Sequence, residues 1–276
     1  MGLTMSEMIA LENLSKRFGN FLAVDAINLA VARGEVLGFL GPNGAGKSTT
    51  MKMVSGFLPP TGGQAKVCGY DVSVDPVAVK KRIGYLPEGA PAYGDMSPRG
   101  FLNFIAEIRG FDGRERLKRV GEIVEKVILN EVLDQPIDTL SKGFKRRVGL
   151  AQAMLHDPEV LILDEPTDGL DPNQKHHVRA LIQDMAKDKA IVISTHILEE
   201  VEAVCSRAVI IARGKLLVDG SAEELIARAP NHNTAVVSVV SDATSGAAAA
   251  ESLAWVRKVE VIDSRGGTSR LRVFAR

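Results

Sequence analysis

The segment from Gly41 to Thr49 constrains this chain more than any other part of the sequence. It reads Gly-Pro-Asn-Gly-Ala-Gly-Lys-Ser-Thr and satisfies the phosphate-loop pattern G-x-x-x-x-G-K-[ST] in full. An apolar run, Glu35–Leu40, precedes the loop, and a segment suited to a helix, Lys47–Phe57, follows it. The pattern needs a strand before it and a helix after it, so the sequence predicts a strand–loop–helix unit in an α/β fold.

The residue types in this loop suit a polyphosphate. Glycines let the backbone turn its N–H groups inward around phosphate oxygens, and the positive end of the following helix points to the same place. Lys47 is expected to reach the β- and γ-phosphates of ATP, and the Ser48 hydroxyl to bind Mg²⁺. The predicted nucleotide contacts in the loop are Gly41, Pro42, Asn43, Gly44, Ala45, Gly46, Lys47, Ser48 and Thr49.

Two acidic residues follow a second apolar strand, Val160–Leu163. A buried strand brings the side chains at its end to the sheet edge where open α/β folds bind ligands. Asp164 is therefore predicted to hold Mg²⁺, directly or through water, and Glu165 to polarise the attacking water. His196 follows a further strand and is predicted to sense the γ-phosphate. The predicted catalytic residues are Glu165, His196 and Lys47.

Strand and helix patterns alternate along most of the chain, which predicts a mostly parallel sheet with both faces covered. A helical insertion interrupts the alternation over about residues 89–157. Its predicted helices are Ser97–Arg109, Arg114–Leu129 and Ser141–His156. Elsewhere the patterns predict strands at Ile27–Val31, Val67–Val72, Ile83–Leu86, 190–194 and 207–212, and helices at 173–187 and 197–205.

The last part of the chain has a different texture. Pro230–Asn233 is typical of a linker, and Ser245–Ala250 is predicted to be a flexible segment of small residues. Val236–Val240 and Leu271–Phe274 have strand patterns. Residues 229–276 are therefore predicted to form a small α+β appendage, and the chain ends without a clear stop signal.

Composition restricts the classes of function. Lys+Arg and Asp+Glu both count 34, and a net charge of zero argues against a nucleic-acid binder. The two cysteines, Cys68 and Cys205, form no metal-ligand spacing and fit a reducing cytosol. No run approaches the ~18–20 apolar residues of a spanning helix, no secretory signal is visible, and Met1–Ser6 fits only a short myristoylation pattern. Such a chain would need a partner to hold it at a membrane.

Three further short sequence segments accompany these motifs. Ile83–Glu88 reads Ile-Gly-Tyr-Leu-Pro-Glu, Leu140–Phe144 reads Leu-Ser-Lys-Gly-Phe, and Asp168–Pro172 reads Asp-Gly-Leu-Asp-Pro. They resemble the Q-loop, the L-S-G-G-Q signature and the D-loop of ABC ATPases. With the phosphate loop and the paired acids they make five ordered motifs, by which residues 7–228 resemble an ABC ATP-binding domain.

The resemblance implies a particular α/β fold. It consists of a P-loop NTPase (RecA-like) core, an N-terminal antiparallel β subdomain and an inserted α-helical subdomain at about 89–157. The ABC domain would span residues 1–228, and residues 229–276 would be a small C-terminal α+β extension of unknown role.

The resemblance also implies that two ATP molecules bind between two head-to-tail subunits. The chain would act as a homodimer, or as a pseudo-dimer with a second ATPase subunit. Ser141 and the N–H of Gly143 would contact the γ-phosphate of the opposite subunit, at a helix N-terminus suited to anions. Phe18 occupies the place of the aromatic residue that stacks on adenine in this family, with a core position as the alternative.

The sequence departs from the family pattern at three residues. Glu88 replaces the glutamine of the Q-loop, where it would ligate Mg²⁺. Its negative charge could bind the metal more strongly or crowd Asp164 and Glu165. Lys142 and Phe144 replace a glycine and a glutamine of the signature, and Lys142 places a cation near a phosphate. The combination is similar to a bacterial branch that includes gliding-motility and other exporter-type systems.

The predicted function is that of an ATP-hydrolysing subunit that energises transport, with export favoured, by a separate integral membrane subunit. This places it in the cytoplasm, peripheral to the inner face of the membrane. The alternatives are a soluble ABC ATPase of translation or DNA repair, a non-hydrolytic nucleotide-gated regulator and a P-loop kinase. The cargo, the direction of transport and the identity of the membrane partner cannot be read from the sequence.

Overall fold

A computed structural model describes residues 7–90, 92–227 and 234–275. Two short 3₁₀ turns, Asn130–Val132 and Ile137–Thr139, add to the strands and α-helices. In chain order these are β1 Glu7–Phe18, β2 Phe21–Ala32, β3 Val36–Leu40, α1 Lys47–Val54, β4 Gly62–Val67, β5 Tyr70–Asp71, α2 Pro76–Arg82, β6 Ile83–Leu86, α3 Pro98–Ile108, α4 Gly113–Lys126, α5 Lys142–Met154, β7 Val160–Asp164, α6 Pro172–Ala186, β8 Ala190–Thr195, α7 Leu198–Val204, β9 Arg207–Ala212, β10 Lys215–Gly220, α8 Ala222–Ala227, β11 Thr234–Val239, α9 Ala243–Glu251, β12 Val256–Arg265 and β13 Thr268–Ala275.

A six-stranded sheet with the order β10-β9-β3-β8-β7-β6 forms the centre of the first part of the chain. The five strands from β9 to β6 are parallel, and β10 pairs antiparallel with β9. β7 and β8 are buried along their whole length, as expected for parallel strands with both faces covered. The predicted, mostly parallel sheet is thus confirmed. The carboxyl ends of β3, β6, β7 and β8 lie at one edge.

A second, antiparallel sheet has the order β2-β1-β4-β5, in agreement with the predicted N-terminal β subdomain. The predicted single strand Val67–Val72 is wrong. Cys68 and Gly69 reverse the chain with φ of 50° and 82°, so that Val67 pairs with Tyr70. An apolar pattern does not reveal such a reversal. One hydrophobic core joins side chains from this sheet, such as Leu14, to side chains from the central sheet, such as Phe39.

The three predicted helices of the insertion form as α3, α4 and α5. Ser97 and Ser141 cap α3 and α5, where each hydroxyl accepts a hydrogen bond from the backbone N–H three residues later. The helices share a core with the central sheet, in which Leu102 and Val148 belong to the same cluster as Leu163. This shared core fixes α5 against the ends of the parallel strands.

The chain divides into two compact units between Ala222 and Glu223. In the second unit, a sheet of order β11-β13-β12 packs with α9. The prediction of a flexible segment at Ser245–Ala250 is wrong, because it lies in α9. Asp242 caps this helix through the N–H groups of Thr244 and Ser245, and its alanines favour helix. The predicted linker Pro230–Asn233 lies outside the described residues. Among the described helices, none has both the length and the apolar character needed to cross a membrane.

Candidate nucleotide-binding site

A cleft of about 440 Å³ lies at the carboxyl edge of the central sheet. It brings together residues that are far apart in sequence: the phosphate loop, the first hairpin, the second residue after β6 and the acids at the end of β7. The residues that line it are Phe18, Phe21, Ala23, Asn43, Gly44, Ala45, Gly46, Lys47, Ser48, Thr49, Glu88, Asp164 and Glu165. Most of the predicted nucleotide and metal contacts therefore share one cavity.

The phosphate loop needs glycine at two positions for steric reasons. At Gly46 φ is 110°, and an added Cβ would lie 2.7 Å from the carbonyl oxygen of Ala23. At Gly41 an added Cβ would lie 2.2 Å from the carbonyl oxygen of Ile211. Because Gly41 and Gly46 lack a Cβ, the loop can lie directly against β2 and β9, and its backbone can face the cleft.

Lys47 is buried within the loop, with 6% of its surface exposed. Its Nζ donates to the carbonyl oxygens of Gly41 at 2.7 Å and of Pro42 at 3.1 Å. These two residues do not line the cleft, although both were predicted to contact the nucleotide. They hold the ammonium group at the base of the loop.

Asp164 ends β7 and has 1% of its surface exposed. Its Oδ1 accepts a hydrogen bond from the Ser194 hydroxyl. The same hydroxyl accepts from the N–H of Glu165 at 3.0 Å. Ser194 thus orients both acids, and sequence reasoning missed it. The available signal was a polar residue near the end of the apolar strand β8, next to β7.

The carboxylate of Asp164 retains one free oxygen that suits a metal ion. Its Oδ2 is buried and has no hydrogen-bond partner among the described residues. Ser48 and Glu88 line the same cleft and offer oxygen atoms, which are the ligands that Mg²⁺ prefers. In the described parts of the chain no three His, Cys, Asp or Glu side chains form a metal-binding group. Mg²⁺ keeps several waters and takes substrate phosphates as ligands, so a few protein oxygens fit it.

Tyr85 adds a buried hydroxyl to this region and was also missed. Burial raises the pKa of the Tyr85 phenol, and the negative charges of Asp164 and Glu88 raise it further. Within the described chain the hydroxyl has no hydrogen-bond partner. The carboxylates of Asp164 and Glu88 therefore both act on this hydroxyl.

Glu165 and His196 form a pair beside the cleft. Glu165 has a left-handed backbone with φ of 51°, which is unusual for a residue with a side chain and is typical of strained functional positions. His196 Nδ1 lies 3.0 Å from Glu165 Oε1. His196 itself does not line the cleft, and its side chain is half exposed. The histidine therefore contacts the acid rather than the phosphate loop in this structure.

Two aromatic rings stand at the rim of the cleft. Phe18 and Phe21 pair across the hairpin of β1 and β2 and are 49% and 63% exposed, so Phe18 is not a core residue. Lys16 Nζ lies 5.2 Å from the centre of the Phe18 ring. Sequence reasoning missed Phe21 and Ala23. The dipeptide Gly19-Asn20 is a two-residue hairpin signal that would have placed Phe21 opposite Phe18.

The signature residues lie outside this cleft. Ser141 is exposed at the start of α5, and its Oγ accepts from the N–H of Phe144 at 3.3 Å. A Cβ on Gly143 would lie 2.8 Å from Gln174 Oε1. Lys142 Nζ lies 2.8 Å from Asp168 Oδ2, and this contact holds the pKa of Asp168 below its usual range. The signature residues thus take no part in the cleft that their own phosphate loop forms.

Comparisons with known proteins agree with this geometry. The profile of the family described as "ABC transporter" matches residues 24–168. The chain is 37% identical to the "Probable multidrug ABC transporter ATP-binding protein YbhF" of Escherichia coli K12, over 81% of this chain and 39% of that protein. It is also 37% identical to the "Linearmycin resistance ATP-binding protein LnrL" of Bacillus subtilis 168, over 80% of this chain and 71% of that protein.

A solved structure described as the ATP binding subunit of an ABC transporter superposes with a TM-score of 0.74 at 29% identity. The superposition covers 80% of this chain and 92% of the other. The predicted P-loop NTPase fold is thus confirmed. The chain belongs to the ABC transporter family, as one of its ATP-binding proteins.

Proposed function

We propose that this chain binds and hydrolyses ATP with Mg²⁺ and thereby powers a separate membrane subunit. The observation that carries the proposal is the cleft, where the phosphate loop faces Asp164, with its free buried oxygen, and Glu165. A cleft that only bound nucleotide would not need an acid beside the phosphates that is paired with a histidine.

Binding divides among the residues of the cleft. The loop N–H groups and the Lys47 ammonium hold the phosphates, and Phe18 with Phe21 offers aromatic surface to the adenine. Asp164, Ser48 and Glu88 would hold Mg²⁺, which supplies charge neutralisation at the β- and γ-phosphates. Ser194 keeps Asp164 aligned for this role through its hydrogen bond.

Hydrolysis depends on Glu165. A water oxygen attacks the γ-phosphorus in line while the bond to the oxygen bridging the β- and γ-phosphates breaks, which yields ADP and inorganic phosphate. The Glu165 carboxylate orients this water and polarises its O–H bond. His196 holds the Glu165 carboxylate from outside the cleft. When the site closes, it would reach the γ-phosphate.

The signature residues lie outside the chain's own cleft, which supports a site completed by a second copy of the domain. Ser141 caps the 13-residue helix α5, and Gly143 lies in its first turn, where backbone N–H groups suit a phosphate. These residues would complete the site of a second subunit in a head-to-tail homodimer or pseudo-dimer. The dimer closes because each γ-phosphate is shared, and it opens when hydrolysis removes that phosphate.

The membrane partner would dock on the helical insertion and the Glu88 loop. Exposed apolar side chains cluster there: Tyr93 is 57% exposed and packs edge-on against Phe104, and Ile108 is 64% exposed. The similar protein of E. coli is named for a probable multidrug transporter and that of B. subtilis for linearmycin resistance, which favours export as the direction. The chain would then work at the inner face of the membrane.

The decisive experiment compares ATP hydrolysis by the purified chain with Glu165→Gln, and follows oligomeric state by size-exclusion chromatography in ATP and Mg²⁺. The wild type should hydrolyse ATP, and Glu165→Gln should lose about 100-fold or more in kcat and accumulate as an ATP-bound dimer. Glu122→Gln, an exposed acid in α4, is the matched control and should keep the wild-type rate.

The opposite outcome would point to the second candidate, a nucleotide-gated regulator. If neither protein hydrolyses ATP nor dimerises, even with its membrane subunit present, the ATPase proposal is wrong. The specific observation behind this alternative is that Glu88 and Lys142 differ from the residues usual in the family.

A further inference from the structure

Arg146 is the most highly connected buried charge near the cleft. Its side chain lies in the third position after Gly143 on α5, with 5% of its surface exposed. Nη1 donates to the carbonyl oxygen of Pro87 at 3.0 Å, and Nε donates to that of Glu165 at 2.9 Å. Nη2 contacts the carbonyl oxygens of Asp164 and Glu165. One guanidinium therefore joins the ends of two parallel strands to the signature helix.

The carbonyl groups that Arg146 holds belong to residues with roles in the site. Pro87 directly precedes Glu88, and Asp164 and Glu165 carry the proposed metal and water contacts. Glu165 also has the left-handed backbone noted above, which persists only where the surroundings fix it. Bonds to the carbonyl groups on both sides of this residue are a direct way to fix it.

Close packing holds α5 in the position that this contact needs. A Cβ on Gly149 would lie 2.7 Å from Ala90 Cβ and from Leu86 Cδ1. A Cβ on Gly84 would lie 2.0 Å from the carbonyl oxygen of Ala153. The two glycines let α5 rest against β6 and the residues after it, so the Arg146 side chain spans a fixed gap.

The charge of Arg146 also matches its surroundings. Burial lowers the pKa of Arg146, and the carboxylates of Asp168, Asp164, Glu165 and Glu88 act against that shift. An arginine keeps its charge in such a place and presents five donors in a rigid plane. A lysine has a single ammonium group and cannot address three carbonyl groups from one plane in the same way.

Arg147 provides an internal comparison. It is the next residue on α5 and is equally buried, at 6% exposure. Its Nη1 donates to the carbonyl oxygen of Ile128 at 2.8 Å, and its guanidinium lies 4.3 Å from the centre of the Phe144 ring. Arg147 thus ties α5 to the segment that follows α4, and within the described residues it makes no hydrogen bond to the strand ends.

We propose that Arg146 is a positioning residue for ATP hydrolysis, which holds Glu165 and Glu88 in register with the signature helix. The inference rests on the proposed ATPase function and adds a residue to it. Arg146 touches backbone carbonyl groups only, so it acts through Glu165 and Glu88. If α5 moves relative to β7, either the Arg146 hydrogen bonds break or Asp164 and Glu165 move with the helix. In the proposed dimer, this contact would link the signature, which serves one site, to Glu165, which serves the other.

The test measures steady-state ATP hydrolysis by Arg146→Gln, Arg146→Lys and the control Arg147→Gln. For Arg146→Gln we expect kcat to fall about 10- to 100-fold while KM for ATP stays within about threefold, because misplacement of a reacting group costs turnover. Arg146→Lys should recover part of this loss. Arg147→Gln should lower the unfolding temperature but keep kcat within about threefold of wild type, since its bonds lie away from the strand ends.

Hydrogen exchange supplies a readout that does not depend on activity. The N–H groups of Ala90 and Asp168 donate to the carbonyl oxygens of Pro87 and Glu165, the same oxygens that Arg146 holds. Arg146→Gln should speed exchange in peptides 84–90 and 164–170. Arg147→Gln should speed it around residues 126–132 instead.

The outcomes separate the two proposals. Hydrolysis by the wild type, with Arg146→Gln and Arg147→Gln equally active or equally impaired, would overturn the role of Arg146 and leave the ATPase proposal intact. A wild type without activity or dimerisation, even with its membrane subunit present, would overturn the ATPase proposal, and the exchange pattern would still decide what Arg146 holds. If Arg146→Gln and Arg146→Lys both fail to fold, the residue is structural and the inference is wrong.

Discussion

The phosphate loop and the signature segment are both glycine-containing turns that begin a helix, yet the structure treats them differently. The phosphate loop lies inside its own cleft, with Lys47 buried and Gly46 pressed against Ala23. The signature is exposed at Ser141, and its lysine, Lys142, pairs with Asp168 of the same chain. In the proposed function, one chain would thus supply the phosphate and metal side of one site, and its signature would complete the site of a second chain.

The largest expected effect is the loss of the loop's ammonium group. Lys47→Ala should lower kcat/KM for ATP by about 100-fold or more, because a fixed cation beside the phosphates is removed. Lys52→Ala, on the same helix but outside the cleft, is the control. A Lys47→Ala variant with wild-type kcat/KM would show that the phosphate loop does not hold the nucleotide through Lys47, and would contradict the contrast drawn between the two turns.

The second prediction uses two glycines of the loop against each other. Gly46→Ala should lower the free energy of unfolding by about 2–4 kcal/mol. The new Cβ would clash with the Ala23 carbonyl oxygen, and the positive φ at this position is unfavourable for alanine. Gly44→Ala has a positive φ of 78° but open space around it, so about 1 kcal/mol is expected. Urea unfolding of both variants measures the difference, and equal losses would contradict it.

The third prediction addresses the outward-facing half. Ser141→Ala should lower ATP turnover by about 10- to 100-fold, the value of one hydrogen bond to a charged group, with ATP affinity of the isolated chain unchanged. Turnover and equilibrium binding of a fluorescent ATP analogue measure the two quantities. A variant that loses affinity in the monomer would show that the signature serves its own cleft. Ser238→Ala, in the second compact unit, is the control.

The smallest effect concerns the pair Lys142–Asp168. It is half exposed, so Asp168→Asn should change the free energy of unfolding at pH 7 by less than about 1 kcal/mol. The pKa of Asp168 is lowered in the folded state, so its stabilisation is present above the ordinary value of 3.8 and is lost as pH falls below that value through the folded pKa. Unfolding midpoints of wild type and Asp168→Asn should therefore converge below pH 3.8. A difference between the two midpoints that persists below pH 3.8 would show that the effect of Asp168→Asn does not come from the charge of Asp168.

Much of the fold was predictable because many elements follow from the local pattern of apolar and polar residues. The strands β6, β7, β8 and β9 and the three helices of the insertion follow apolar runs and helical spacing, and their bounds agree to within three residues. The exposed strand β10, the short helix α2 and the edge strand β12 were missed, because each contains at most one buried residue and so lacks a clear apolar pattern. The turn at Cys68–Gly69 was missed because an apolar pattern does not show where the backbone reverses.

The sequence by itself determined the phosphate loop, the paired acids after β7 and the family, because these depend on residue type and short spacing. The tertiary structure alone decided that Ser194 aligns Asp164 with Glu165. It also decided that Arg146 binds the ends of β6 and β7 while Arg147 turns away. These contacts join residues up to 59 positions apart, and only the packing of α5 and the register of parallel strands bring them together.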